Sequence, residues 1–330
     1  MILLSQKKKI ILSGMRPTGK LHLGHLTGAL ENWVAMQGEY QNYHLIADYH
    51  ALTTNPDTSE LYTNSIDMLI DWLAAGLDPV QSPMFRQSQI KEHSELHLLF
   101  SMLITTARLE RNPTLKEQVR DLEMDNIVYG HLGYPVLQAA DILLYKGDVV
   151  PVGEDQLPHI EITRELARRF NAQYAPVFPE PEGKITKFAR LPGLDGKRMS
   201  KSVGNTILLS DSPETIMKKL KTAVTDPQKI RKGDPGHPDI CLIFAYHNKF
   251  NQTEVPEIRA NCESGNLGCV DCKMKCAKKI IEILAPSYER RAYFAAHMDD
   301  VKNILADGER RAHVIAKQTM TEVHEAMKLG

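Results

Sequence analysis

The feature that most constrains this chain is a junction near its start. Lys9-Ile10-Ile11-Leu12-Ser13 is a short apolar run that stops at Gly14, as a strand buried in a parallel sheet does. Gly14-Met15-Arg16-Pro17-Thr18-Gly19-Lys20-Leu21-His22-Leu23-Gly24-His25 follows, and helical spacing then begins, with Leu23, Leu26, Leu30, Trp33 and Val34 on one stripe. The order strand, glycine-rich loop, helix commits the chain to an α/β unit. Glycines let the backbone approach a ligand without a Cβ in the way. The helix start offers unpaired N–H groups and a positive dipole end to phosphate. His22 and His25 are three apart and share one face of the first turn. Two imidazoles there can donate to a phosphoryl group whose charge grows during reaction. An arbitrary His-x-Gly-His is more often a tight turn with two surface histidines. The preceding strand and the Pro17-Thr18-Gly19 turn favour the ligand.

The same alternation continues. Tyr43 to Asp48 reads as a second strand, Pro83 to Arg86 as a short third and Val149 to Gly153 as a fourth. Helices are expected over Tyr62 to Ala75, ended by Gly76 and Pro79, over His93 to Leu109, and over Leu157 to Phe170. Strands alternating with helices imply an α/β fold, a Rossmann-like doubly wound parallel sheet. After Pro192 the texture changes. Asp211-Ser212-Pro213-Glu214 is a strong helix start, and no convincing strand follows. We therefore place residues 1–205 in a catalytic domain and 206–330 in a smaller, mainly helical C-terminal domain. Its last helix, roughly Asp307 to Leu329, is expected to pack back on the first domain.

Formal net charge is −1 over 330 residues, so any nucleic-acid partner must be argued from local patches. Lys218, Lys219, Lys221, Lys229, Arg231 and Lys232, then Lys273, Lys275, Lys278, Lys279, Arg290 and Arg291, form such patches, although a charge run is usually a solvated helix face. The apolar stretch after the first lysines is too short for a secretory core or membrane span, so a cytoplasmic protein with no membrane partner is expected.

A second motif, Lys197-Arg198-Met199-Ser200-Lys201-Ser202, follows the Gly193–Gly196 turn. It is a basic loop with hydroxyls, suited to a triphosphate. Together, His22-Leu23-Gly24-His25 and Arg198-Met199-Ser200-Lys201-Ser202 resemble the two signature sequences of class I aminoacyl-tRNA synthetases. Their order and separation resemble the small subclass that handles tryptophan and tyrosine. Arg198 stands where a lysine is usual, with the charge kept.

That resemblance implies roles. Arg16, Pro17, Thr18, Gly24 and His25 would cradle ATP. His22 and His25 would assist at phosphate, and Lys201 would be catalytic, with Mg²⁺ sharing the charge of the leaving pyrophosphate. Arg198, Met199, Ser200, Lys201 and Ser202 would line the triphosphate. Gly153, Glu154 and Asp155, at the carboxyl end of the fourth strand, would lie near the nucleoside, with Leu191 a backbone contact to adenine. Capping of the following helix is the plainer role for Glu154 and Asp155.

The middle of the chain chooses the amino acid. Tyr134-Pro135-Val136-Leu137-Gln138-Ala139-Ala140-Asp141 and Val152-Gly153-Glu154-Asp155-Gln156 are similar to the tryptophan branch. Indole carries one polar atom, an N–H that only donates. A carboxylate in an apolar slot would recognise it, so Asp141 is the expected indole partner, flanked by Tyr134 and Gln138. Buried and unpaired, Asp141 would be expensive, so it needs partners. His93 and His97 have the spacing of a helical metal pair, but read as ordinary helix surface.

Five cysteines, Cys241, Cys262, Cys269, Cys272 and Cys276, fall in the last third of the chain. Clustering and an odd count argue for a metal site over disulfides. Gly268-Cys269-Val270-Asp271-Cys272-Lys273 resembles a motif in a subset of bacterial members with a four-iron, four-sulfur (4Fe–4S) cluster. This implies Cys241, Cys262, Cys269 and Cys272 as ligands, with Cys276 spare. Spacing alone does not separate such a cluster from zinc.

The resemblance thus implies a ligase that joins L-tryptophan to tRNA(Trp) at the expense of ATP, acting as a homodimer. Three rivals stand beside it. One is the tyrosine enzyme of the same subclass. Another is a small-molecule nucleotidyltransferase with a His-x-Gly-His loop. The third is a non-catalytic tRNA- or iron–sulfur-binding protein derived from this fold, which the intact His22, His25 and Lys201 disfavour.

Overall fold

The computed structural model describes residues 8–121, 126–185, 191–200, 203–231 and 233–329. The apolar run at Lys9 does form a buried strand, β1 (Ile10–Met15), at the centre of a five-stranded sheet. The others are β2 (Gln41–Ile46), β3 (Met84–Arg86), β4 (Val149–Val152) and β5 (Glu182–Ile185), in the order β3-β2-β1-β4-β5. Every pairing is parallel, with β1 and β2 in register from Ile10↔Gln41 to Met15↔Ile46. This is the doubly wound parallel sheet that the alternation of elements predicts.

β1 leads into α1 (Leu23–His25), a π-helical turn at Leu26–Leu30 and α2 (Glu31–Met36). α3 (Asp48–Leu52) and α4 (Leu61–Ala75) connect β2 to β3. Gly76 ends α4 in the left-handed region at φ 109°, as its place in the sequence suggests. Among the described residues, the α-helices between β3 and β4 are α5 (Glu92–Ser101), α6 (Thr106–Glu110), α7 (Pro113–Asp121) and α8 (Tyr129–Leu144). The single helix expected over His93 to Leu109 is therefore two, interrupted between Ser101 and Thr106. α9 (Leu157–Gln173) leads to β5. β5 was not expected: Glu182-Gly183-Lys184-Ile185 is a mostly exposed edge strand, with no run of buried apolar residues to reveal it.

Beyond residue 205 the elements are helical: α10 (Pro213–Thr222), α11 (Leu242–Phe250), α12 (Val255–Glu263), α13 (Cys269–Ala296) and α14 (Met298–Met327). α10 begins as read, with the Ser212 hydroxyl accepting from Thr215 N at 3.2 Å and Pro213 in the first turn. These helices complete both cores. Ile207, Leu220, Tyr246, Ile280 and Val301 join Leu30, Trp33 and Trp72 in one cluster; Ala312, Ala316, Met320 and Val323 join Phe85, Leu143 and Phe170 in the other. Fully burying one such large side chain contributes roughly 1.5–3 kcal/mol.

α14 lies across β3. At Gly308 an added Cβ would stand 2.0 Å from the Met84 carbonyl oxygen, so only glycine permits this approach. Arg86 Nε meets Glu309 Oε1 at 2.7 Å, and Arg311 Nη1 donates to Pro79 O at 2.8 Å along the same seam. α13 docks on α4, where Arg290 Nε donates to Ala74 O at 2.7 Å and Arg291 pairs with Asp71. Lys273 Nζ donates to Lys221 O, and Lys229 Nζ to Leu267 O. Four cations read as candidate phosphate contacts are thus spent on internal carbonyls and a carboxylate.

Chain connections run from β1 outward to β3 on one side, then return across β1 to β4 on the other. The carboxyl ends of β1 and β4 therefore bracket the switch point, where such sheets bind ligands.

Candidate active site

A cavity of about 260 Å³ opens at this switch point. Its walls include Leu12, Leu45, Ala47, Ile142 and Val150, and its polar lining includes Ser13, Arg16, His50, Tyr134, Gln138 and Asp141. It thus brings together four residues singled out in the sequence, Arg16, Tyr134, Gln138 and Asp141. Gln156, the last residue of the motif at the end of β4, also lines it, as do Ser13 and His50, for which the sequence gave no role.

Asp141, on α8, is buried in the cavity wall and has the partners its burial demands. Oδ1 accepts from Gln87 Nε2 and from His93 Nδ1, each at 2.7 Å; Oδ2 accepts from His50 Nε2 at 2.9 Å. Burial alone would raise this carboxyl, but the hydrogen bonds from His50 and His93 outweigh it and hold the group down at about 2. His93 is not on a helix surface: it is fully buried behind Asp141, and its Nε2 lies 2.9 Å from the Tyr145 hydroxyl.

Tyr134, two turns earlier on α8, has its hydroxyl 2.6 Å from His159 Nε2. The Thr114 N–H donates to Asn112 Oδ1 at 3.0 Å, which fixes the Asn112 amide. Its Nδ2 therefore donates to His159 Nδ1 at 3.0 Å. The His159 proton then resides on Nε2, which donates to the Tyr134 oxygen. Burial pushes His159 down to about 4, so the ring stays neutral near pH 7.

The loop before α1 is built for close approach. At Gly14 a Cβ would meet the Leu45 carbonyl oxygen at 2.6 Å, and Gly19 takes φ 107°. His22 caps α1: its Nδ1 accepts from Gly24 N at 3.1 Å, and its own N–H donates to His25 Nδ1 at 3.1 Å. Each neutral ring therefore keeps its proton on Nε2, the tautomer able to donate. The two ring centroids are 3.9 Å apart. The chain beyond the second motif pins this turn, through Leu23 N to Ile207 O at 3.0 Å and Leu209 N to Leu21 O at 2.9 Å.

The second loop is held by Asn205, a residue the sequence reading passed over. Its Oδ1 accepts from Ser200 N at 2.8 Å, and its Nδ2 donates to Asp195 Oδ1 at 2.8 Å and Arg198 O at 3.0 Å. Met199 extends over Gly24, so the two signature loops touch. Lys201 and Ser202 lie outside the described residues.

Pro17, Thr18, His22, Gly24, His25, Met199 and Ser200 lie outside the cavity lining. So do Gly153, Glu154 and Asp155, at the end of β4, where Gly153 caps the turn Glu154–Gln156. Leu191 is buried in the first core cluster, and Arg198 is exposed.

None of the cysteines lines the cavity; Cys241, Cys262, Cys269 and Cys272 line one small pocket of their own with Thr225, Asp226 and Lys229. Cys276 does not join them; it is fully buried among apolar side chains. Burial, with the neighbouring Cys241, Cys262 and Cys269, pushes the Cys272 thiol up to about 12. Among the described residues no group of three or more His, Cys, Asp or Glu is drawn close enough to hold a metal ion. The four thiols share a pocket without converging on one point.

The fold and the paired signature loops define a nucleotide-handling enzyme with a cavity at the switch point of its parallel sheet. The family described as tRNA synthetases class I (W and Y) matches residues 4–285, and the chain belongs to it. A tryptophan–tRNA ligase of Thermotoga maritima is 47% identical over 324 residues, covering 97% of this chain and 99% of that protein. The Aquifex aeolicus tryptophan–tRNA ligase is 42% identical, with 97% and 99% covered. Among solved structures, tryptophanyl-tRNA synthetase of Campylobacter jejuni, complexed with ADP and tryptophan, superposes with a TM-score of 0.88 at 32% identity, covering 97% of this chain and 99% of that one.

Proposed function

We propose that this chain is a tryptophan–tRNA ligase. It activates L-tryptophan with ATP to tryptophanyl-adenylate and pyrophosphate, then transfers tryptophan to the 3′ end of tRNA(Trp). The observation that carries the choice of amino acid is Asp141. A charged acceptor among apolar wall residues suits a ligand whose one polar ring atom only donates. The full-length likeness to tryptophan–tRNA ligases supports the same choice.

Neither step needs an enzyme nucleophile; positioning and charge stabilisation do the chemistry. Arg16, Pro17, Thr18, Gly24 and His25 cradle ATP, with Gly153, Glu154, Asp155 and Leu191 toward the nucleoside. His22 and His25 donate to phosphate oxygens, for which their tautomers are suited. Arg198, Met199, Ser200, Lys201 and Ser202 close on the triphosphate, and Lys201 stabilises the departing pyrophosphate with Mg²⁺. Asp141 takes the indole N–H, with Tyr134 and Gln138 beside it.

Residues 1–205 carry this chemistry and 206–330 meet the tRNA. Lys218, Lys221, Arg231, Lys275 and Lys278 are exposed cations in the second part. Cys241, Cys262, Cys269 and Cys272 would hold a 4Fe–4S cluster, with zinc as the alternative. Such a group would supply the positive charge that lets four thiolates share one pocket, and the lining of one pocket by all four cysteines supports the reading. Exposed apolar side chains at Leu98 of α5, at Met102 just after it, and at Ile127, Val128 and Tyr129 around the start of the adjacent α8 support a homodimer. A cytoplasmic location goes with this reading, and no helix among the described residues is long and apolar enough to cross a membrane.

ATP–pyrophosphate exchange tests the reading. Exchange is expected with tryptophan and not with tyrosine, followed by charging of tRNA(Trp). Exchange with tyrosine alone would overturn it.

A further inference from the structure

Behind the cavity, a buried hydrogen-bond chain ends on Asp141. A carboxylate cannot donate, so His93 Nδ1, at 2.7 Å from Oδ1, carries a proton. In the neutral ring Nε2 is then an acceptor, and the atom facing it at 2.9 Å is the Tyr145 hydroxyl oxygen. Tyr145 is fully buried, and burial raises its phenol far above its ordinary value, so the hydroxyl keeps its proton and donates. Protons therefore point one way, from Tyr145 to His93 to Asp141. His93 and Tyr145 do not line the cavity, whereas Asp141 and His50 do.

We propose that His93 and Tyr145 are positioning residues of the tryptophan pocket. Tyr145 fixes the His93 ring in the tautomer whose Nδ1–H meets Asp141, and that ring holds Asp141 as a charged acceptor of fixed direction. The proposal rests on the reading that Asp141 takes the indole N–H. Two oxygens with three donors leave little freedom. Oδ1 is occupied by Gln87 and His93 from behind, and Oδ2 faces His50 and the cavity. Losing the His93 donor exposes Asp141 to the cost of its own burial, which favours the protonated acid. A protonated Asp141 can turn its O–H toward the ligand and lose the indole.

The other titratable groups around this chain are few. Asp141 faces His50 from α3 and His93 from α5, with His97 of α5 further off; Tyr145 faces Tyr43 of β2 and Glu92 of α5.

The test is the KM for tryptophan in ATP–pyrophosphate exchange, measured from about pH 5.5 to about pH 8.5. The wild-type profile is expected to be flat. His93→Leu is expected to raise KM, by about tenfold or more toward low pH, with kcat little changed. His93→Asn, whose Nδ2 stands near the place of the imidazole Nδ1 and donates, is expected to restore the flat profile. Tyr145→Phe, close in volume, is expected to give the same slope in weaker form. A flat profile at wild-type KM in His93→Leu overturns the proposal; should that variant not fold, an unchanged profile in Tyr145→Phe does so. A tryptophan analogue with sulfur in place of the indole N–H separates the two levels. If wild type uses it as well as tryptophan, the Asp141 reading itself fails. If wild type rejects it and His93→Leu stays flat, only the positioning role fails.

Discussion

Met199 lies over Gly24: a Cβ built on that glycine would stand 3.1 Å from the methionine sulfur and 3.0 Å from the His22 ring. This contact joins the two signature loops, 175 positions apart in sequence, into one surface. Each loop limits where the other can go.

Gly24→Ala should therefore disturb chemistry more than folding. The added methyl displaces both the His22 ring and Met199 by a few tenths of an ångström. Shifts of that size at a positioning site reduce kcat for adenylate formation, here by about tenfold, with the melting temperature little changed. Pyrophosphate exchange alongside thermal melting checks this. Gly24→Ala combined with Met199→Ala should recover part of the loss, because removing the sulfur opens one of the two contacts.

The seam between α13 and α4 carries a second prediction. Asp71 is almost fully buried; it accepts from Leu21 N at 3.2 Å and pairs with Arg291, which also meets Asp67 at 3.5 Å. Burial lifts the Asp71 carboxyl to about 6, against the pull of Arg291. Arg291→Met leaves that charge buried and unpaired, at a cost of about 3 kcal/mol above neutrality. The cost should shrink as pH falls, since the acid then takes a proton and the uncompensated charge disappears. Chemical denaturation at pH 7.5 and pH 5 compares the two. An equal loss at both values would show that the pair is not what the arginine contributes.

His44 sets a third. It is fully buried on β2, with Nδ1 2.9 Å from Ser13 Oγ and its ring stacked on Trp33 at 4.7 Å between centroids. Burial pushes it down to about 3. The unfolded chain takes up a proton below about pH 6.5, while the folded chain does not until pH is far lower. Its contribution to stability is therefore complete above pH 6.5 and is lost as pH falls toward 3. By pH 5 the loss is about 2 kcal/mol. His44→Phe, which keeps a stacked ring and removes the titration, should flatten the acid side of the stability profile. A profile as steep as the wild type would refute this role.

The sequence made the first half of the sheet legible because its strands are buried on both faces. Ile10 to Leu12 is an apolar run closed by Ser13 and Gly14, and Tyr43 to Ala47 is apolar but for His44 and ends at a helix start. β5 has no such run, since an edge strand with three of four residues exposed needs none. His93 was misplaced for a related reason. A polar residue on a helix is assigned to solvent unless its partner is known, and Asp141 lies 48 positions away. Arg290 and Arg291 fall in a basic patch that the sequence offers to phosphate or to solvent for the same reason; Ala74 O and Asp71 are brought to them by packing. Asn205 gave no signal, because closing a loop by three hydrogen bonds has no periodicity.

The class of fold, the glycine-rich strand–loop–helix at its start and the paired motifs of the synthetase family were legible in the sequence alone. These rest on short-range order, where glycine, proline and apolar spacing act within a few residues of one another. Tertiary structure decided that Met199 covers Gly24, that Gln87, His50 and His93 keep Asp141 charged, and that four cysteines share a pocket. It also decided which cations remain exposed. Each of these is a contact between segments far apart in the chain, fixed only when the two cores close and buried polar groups must find partners.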